Sequence, residues 1–181
     1  MSIFANILLI VFEMIALYNT PRDRSLLKTA IFYTQISNFI ATISSVLYLF
    51  LGGRVAVIRY LATCMLTMTF FVTLCILVPM GGGFRKLMLG PTGLFHHTLC
   101  PILSFVSYVF WEPHSRAWYV PALITLIYGL IMVYLNAVKK IDGPYPFFRV
   151  HNQSKLATVI WIAALLLAVA VFSVGISFLA A

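Results

Sequence analysis

A histidine pair, His96-His97, falls inside an apolar stretch, at about the same depth as Thr34 and Glu13 on two other apolar stretches. The chain has only 4 His and 4 Asp or Glu among its 181 residues. Ionisable groups inside a bilayer are costly and as a rule face a bundle interior or a water-filled site. A hydroxyl, an imidazole and a carboxyl in one layer define one reaction type, acyl transfer. The hydroxyl is a weak nucleophile until a neighbouring base takes its proton, which histidine does near neutral pH. A carboxylate on the far ring nitrogen orients that base and stabilises its charged form. Asn38, one turn beyond Thr34, is placed to donate to a developing oxyanion. The spacing is permissive and is not by itself a signature.

The elements that hold these residues follow from composition. With 62% hydrophobic residues, 9% charged residues and a mean hydropathy of +1.04, the chain reads as an integral membrane protein. A soluble domain keeps roughly 25% charged residues. Six segments approach the ~20 apolar residues that a span requires: 3–19, 29–51, 57–80, 92–111, 118–138 and 156–180. The expected fold is all-α, a single bundle of six transmembrane helices over residues 1–181, with no length left for a soluble domain. From these boundaries, Thr34, His97 and Glu13 all lie roughly 7–9 Å inside the same face at ~1.5 Å per residue. Pro101 crowds the carbonyl of His97 and predicts a kink beside that ring. Adjacent helical residues diverge by about 100°, so one histidine at most points squarely inward. The kink favours His97 over His96.

Helix 2 carries a polar stripe of Thr34, Asn38, Thr42 and Ser45, with Ser37 at its edge; Thr42 and Ser45 read as helix-packing groups. Cys64, Cys75 and Cys100 have no metal-ligand spacing and read as small buried hydrophobes. No metal and no cofactor is expected. The longest loop, 139–155, mixes Asp142-Gly143-Pro144 and Pro146 with Tyr145, Phe147 and Phe148. Proline turns with aromatics suit an interfacial anchor or a lid folded over the bundle mouth. Asp142, Tyr145 and Phe147 are its candidate substrate-contacting residues.

The net charge of +8 does not call for nucleic acid, because the basic residues are scattered through short loops. Arg22, Arg24, Lys28, Arg85, Lys86, Lys139, Lys140, Arg149 and Lys155 share one side; Arg54, Arg59 and Arg116 lie on the other. The positive-inside rule then predicts cytoplasmic basic loops and both termini outside. Segment 1 lacks a basic leader and contains Glu13, so it reads as a span and not as a signal peptide. Asn152-Gln153-Ser154 is formally a glycosylation acceptor, but this topology puts it on the cytoplasmic side.

At Phe32-Tyr33-Thr34-Gln35-Ile36-Ser37-Asn38 and Leu94-Phe95-His96-His97-Thr98-Leu99-Cys100-Pro101, the sequence resembles the androgen-induced-gene family of six-helix membrane proteins and its bacterial relatives. The segment Ile141-Asp142-Gly143-Pro144-Tyr145-Pro146-Phe147-Phe148 resembles a loop of the bacterial ones. The resemblance implies an intramembrane hydrolase of lipid esters, notably fatty acid esters of hydroxy fatty acids, in the bacterial inner membrane. It implies a threonine nucleophile on helix 2, here Thr34, and a histidine on helix 4. Counted back from Pro101, His96 fits the animal spacing and His97 the bacterial one. The animal pattern has Asp or Asn three residues after the threonine, where this chain has Ser37, with Asn38 next. The implied partners are membrane lipids and the ester substrate.

Two other classes compete. A small-solute or ion transporter would need polar residues continuing to the far side of the bundle, and helices 1 and 6 offer few there. A non-catalytic interaction protein would leave Thr34 and the histidines as packing groups. Haem binding lacks a second axial histidine at matched depth, since His114 and His151 fall in loops. A retinal Schiff base lacks an interior lysine.

Overall fold

The computed structural model describes residues 1–19 and 31–180, and those residues form helices and connecting turns without a strand. Among the described residues the α-helices are, in order, α1 (Ser2–Asn19), α2 (Tyr33–Leu51), α3 (Ala56–Val72), α4 (Phe84–Leu89), α5 (Cys100–Trp111), α6 (Tyr119–Ala137) and α7 (Lys155–Leu179). Among the described residues, five helical stretches are long and apolar enough to cross a membrane: Ser2–Asn19, Tyr33–Gly82, Leu94–Trp111, Tyr119–Ala137 and Lys155–Leu179. This is the make-up of an all-α membrane bundle. A helix satisfies its own backbone groups, which a segment in hydrocarbon must do. The expected basic loop 20–28 and the start of helix 2 at residue 29 lie outside the described residues.

The stretch Tyr33–Gly82 folds back on itself. Gly52 caps α2 with φ 57°, and its amide donates to the Tyr48 carbonyl. That left-handed conformation suits glycine. A 3₁₀ turn, Gly52–Val55, then starts α3. Ser37 meets Thr69, and Ser44 meets Arg59, so α2 and α3 run antiparallel. Helix α3 is the central element, packing against α2, α5, α6 and α7.

Two expected breaks involve π-helices. Helix α3 widens after Val72 into a π-helix, Thr73–Gly82, that carries Pro79 inside it, and helical geometry is lost at Gly81, with φ 97°, as the Pro79 and Gly81-Gly82-Gly83 signals lead one to expect. The segment expected as loop 81–91 contains α4. Its return is tight: a Cβ on Gly93 would collide with the Leu87 carbonyl. Before Pro101, the expected kink takes the form of a second π-helix, Leu94–Leu99, and Pro101 sits in the first turn of α5. The helix is continuous there, since the Cys100 amide donates to the Phe95 carbonyl; the π-widening accommodates a proline that has no amide of its own to donate.

Tyr145, Phe147 and Phe148 are buried in the main apolar core with Tyr33, Met68 and Tyr128. The loop after α6 is therefore folded into the bundle. Asn136 clamps it by donating to the Ile141 carbonyl and accepting from the Val150 amide.

Candidate active site

The Glu13 carboxyl, on α1, lies 3.2 Å through Oε2 from His96 Nε2, and both side chains are almost fully buried. The pair is close but not aligned for a hydrogen bond, and Glu13 Oε1 and Asn38 Oδ1 likewise meet no protein donor. On the other ring nitrogen, Nδ1 stands 3.3 Å from Gln35 Nε2 on α2. An amide nitrogen only donates, so in this arrangement Nδ1 holds the lone pair and Nε2 carries the proton toward Glu13. The imidazole thus turns its acidic edge to α1 and its basic edge to the residue after Thr34.

His97 points elsewhere. Its Nδ1 lies 2.8 Å from the Leu87 carbonyl, and Thr98 Oγ1 donates to the Met88 carbonyl at 2.8 Å. Together they tie α4 to the π-helix. The ring that the structure brings to Glu13 is that of His96, although the proline argument had favoured His97. The carbonyl that another helix reaches also belongs to His96, from Asn38 Nδ2 at 3.4 Å.

Thr34 is buried at the start of α2, where its amide has no partner within the helix. Helix N-termini need such amides capped. The cap comes from a distant residue: the Tyr145 hydroxyl lies 3.3 Å from both the amide nitrogen and Oγ1 of Thr34. Asn38 Nδ2 donates to the Thr34 carbonyl at 2.7 Å, and Ser37 Oγ donates to the same oxygen at 2.9 Å. Asn38 Nδ2 is therefore spent on the Thr34 carbonyl within α2 and on the His96 carbonyl of the π-helix, and its free acceptor is Oδ1. Thr34, Tyr145 and Phe147 line a cavity of about 50 Å³ with Thr69, Thr73 and Thr125, otherwise walled by apolar side chains. Asp142 is exposed and takes no part in that wall. Burial pushes the Tyr145 phenol above its ordinary range, with hydrogen bonds to Thr34 acting the other way, so it stands as a neutral hydroxyl.

A second polar layer occupies the opposite end of the bundle. Arg59 Nε and Nη2 donate to the two Glu112 oxygens at 2.8 and 2.9 Å, and both side chains are 0% exposed. Arg59 Nη1 also reaches Ser44 and Ser45; Glu112 Oε1 accepts from Ser107 at 2.6 Å and Asn6 at 3.0 Å. Arg59 is consequently not the free loop charge that the topology count assumed. The signal was present in the sequence: Arg59 falls within its span, and Glu112 closes a neighbouring helix at the same end. Gln35 was also missed as a site residue, although it follows Thr34 directly.

Among the described residues, no group of three or more His, Cys, Asp or Glu side chains is arranged to hold a metal ion. Cys64 and Cys100 are buried, as expected for small hydrophobes, but Cys75 is exposed. No protein-family model, no curated protein and no solved structure matches the chain.

Proposed function

We propose that the chain is a six-span intramembrane hydrolase of lipid esters, with Thr34 as nucleophile and His96 as base. The reading rests above all on the two edges of the His96 ring: Glu13 lies against Nε2, and Nδ1 faces Gln35, the neighbour of Thr34. That division of labour is what a hydroxyl nucleophile needs. In the first step, Thr34 Oγ1, whose hydrogen-bond partner in this structure is Tyr145 and not His96, bonds to the ester carbonyl carbon; its proton passes to His96 Nδ1 once the Gln35 amide swings aside and the two side chains are brought together. The ester C–O bond then breaks and the leaving alkoxide takes that proton. Water, deprotonated by the same nitrogen, releases the acid and restores Thr34. Fatty acid esters of hydroxy fatty acids are the substrate class that the family resemblance implies; the apolar, hydroxyl-dotted lining at Thr34 matches their chemistry, but its volume of about 50 Å³ requires the cavity to widen before an ester enters.

The fold-back at Gly52 supports counting six spans, because α2 and α3 each have the length to cross. The positive-inside rule still favours basic loops in the cytoplasm and termini outside, since Arg59 is buried within α3 and is not a loop residue on the opposite side. In this topology the Thr34 end of the bundle faces the cytoplasm, in a bacterial inner membrane.

A second reading, ion or proton transport, draws support from the Arg59–Glu112 layer. Polar residues do continue to the far end of the bundle, Asn6 on α1 included. From Asn6 to Glu13 along α1 the two layers are about two helical turns apart, roughly 10 Å, and from Thr34 to Ser44 along α2 nearly three, roughly 15 Å. One experiment separates the readings. Purified protein in liposomes is treated with a fluorophosphonate probe and its modified peptide mapped, while ion flux is followed in parallel. Covalent labelling at Thr34 without flux supports the hydrolase; flux with no labelling sinks it.

A further inference from the structure

Between α3 and α7 runs an apolar groove of about 200 Å³, separate from the cavity at Thr34 but sharing part of its wall. Phe71, Cys75 and Ile76 line one side; Trp161, Ala164 and Ala168 line the other. Ala164 and Ala168 are one turn apart on α7, so their small side chains leave a trough where larger ones would interdigitate with α3. The widened π-helix from Thr73 borders it along α3. One end is closed by Phe71 and Phe172, whose rings stack 4.7 Å apart. Around the groove, α7 exposes Ile160, Leu167 and Val171, so its surroundings are as apolar as its lining.

Such a groove is poorly suited to any polar ligand, since its lining is almost wholly apolar. Its volume exceeds the ~150 Å³ of an engineered apolar cavity that takes up benzene. We propose that it binds one acyl chain of a bilayer lipid. The occupant follows from the lining and from the apolar helix faces around the opening, which suit hydrocarbon and not water. The groove also gives the ester hydrolase a lateral entrance. Met68, Val72 and Leu165 border both groove and cavity, and Met68 is the unbranched, adaptable side chain among them. This second part rests on the hydrolase reading; occupancy by an acyl chain does not.

The full-length protein, reconstituted in phosphatidylcholine vesicles, is irradiated with a phosphatidylcholine that carries a diazirine on one acyl chain, and the adducts are mapped. Adducts at Phe71, Cys75, Ala164 and Ala168 should exceed those at Leu123 and Ile127, exposed residues on α6, by about fivefold or more. Ala168→Trp, which fills the trough, should remove that excess and leave the α6 background unchanged. Should Ala168→Trp fail to fold, Ala164→Leu serves, and bimane fluorescence at Cys75 gives a second measurement. It should be quenched more strongly by brominated acyl chains than bimane on a cysteine placed at Leu123. Thr34→Ala should keep the groove adducts, so loss of hydrolysis and loss of chain binding remain separate outcomes. Even labelling of all apolar faces, or adducts indifferent to Ala168→Trp, would overturn the proposal. Efficient Cys75–Cys75 cross-linking between two copies would overturn it as well, because a second chain would then fill the groove.

Discussion

The Tyr145 hydroxyl reaches both the amide nitrogen and Oγ1 of Thr34 at 3.3 Å, across 111 residues of sequence. One phenol therefore caps a helix and covers the proposed nucleophile. We expect Tyr145→Phe to lower stability by about 0.5–2 kcal/mol, the usual effect of a lost cap, and to speed fluorophosphonate labelling of Thr34. Thermal unfolding and labelling rates measure both. If neither changes, the contact has no consequence.

Tyr145 also gives a pH signature. Its phenol is held above the ordinary value near 10 because it is buried, so the fold favours the neutral form. Its contribution is complete below about pH 10 and declines as the pH rises further, where the unfolded chain ionises first. Alkaline destabilisation should be steeper in the wild type than in Tyr145→Phe. Parallel pH profiles would count against this.

The two histidines should separate cleanly. His96→Ala removes the ring between Glu13 and Gln35 and should lower turnover by about 10²–10⁴-fold. His97→Ala cuts the tie to the Leu87 carbonyl and should act mainly on stability. Turnover in proteoliposomes settles the assignment, and the reverse pattern would transfer the base to His97.

Glu13→Gln keeps the shape of the side chain but removes the charge beside His96 Nε2. Turnover should fall, and the acidic limb of its pH profile should move down, because the imidazolium loses its stabilising neighbour. An unshifted profile would reduce Glu13 to a packing residue.

Arg59→Met should destabilise by about 3–5 kcal/mol, because it strands Glu112 in a buried layer. Adding Glu112→Leu should recover much of that loss, since the burial cost of both charges then disappears. Thermal melts of the two single variants and the double variant test this; additive losses would refute the coupling.

Hydropathy marked the long helices to within a few residues, because apolar length is a constraint each segment meets alone. Depth counting anticipated the approach of Glu13 to the histidine pair, made by His96, for the same reason, whereas Thr34 Oγ1 is met by Tyr145 and His97 by the Leu87 carbonyl. The count failed to say which ring faces Glu13. The pair lies in a π-helix, whose hydrogen bonds skip one residue more than those of an α-helix, so rotation counted at 100° per residue does not apply. The Tyr145 cap was invisible because it depends on how Asn136 folds the following loop. Arg59 was read as a topology charge because sequence alone does not say which end-of-span charges find a partner.

Arg59 and Glu112 are 53 residues apart in sequence, and this bears on how the protein is made. Synthesis delivers the arginine first, so α3 must enter the membrane before its counter-ion exists. The serines at 44 and 45, on the helix already emerged, can hold the guanidinium meanwhile. When α5 arrives, its terminal glutamate has a waiting cation to find. A chain truncated before Glu112 would keep the Arg59 guanidinium inside α3 without its carboxylate, so the order of synthesis leaves one charge of the pair uncompensated until the second helix is complete.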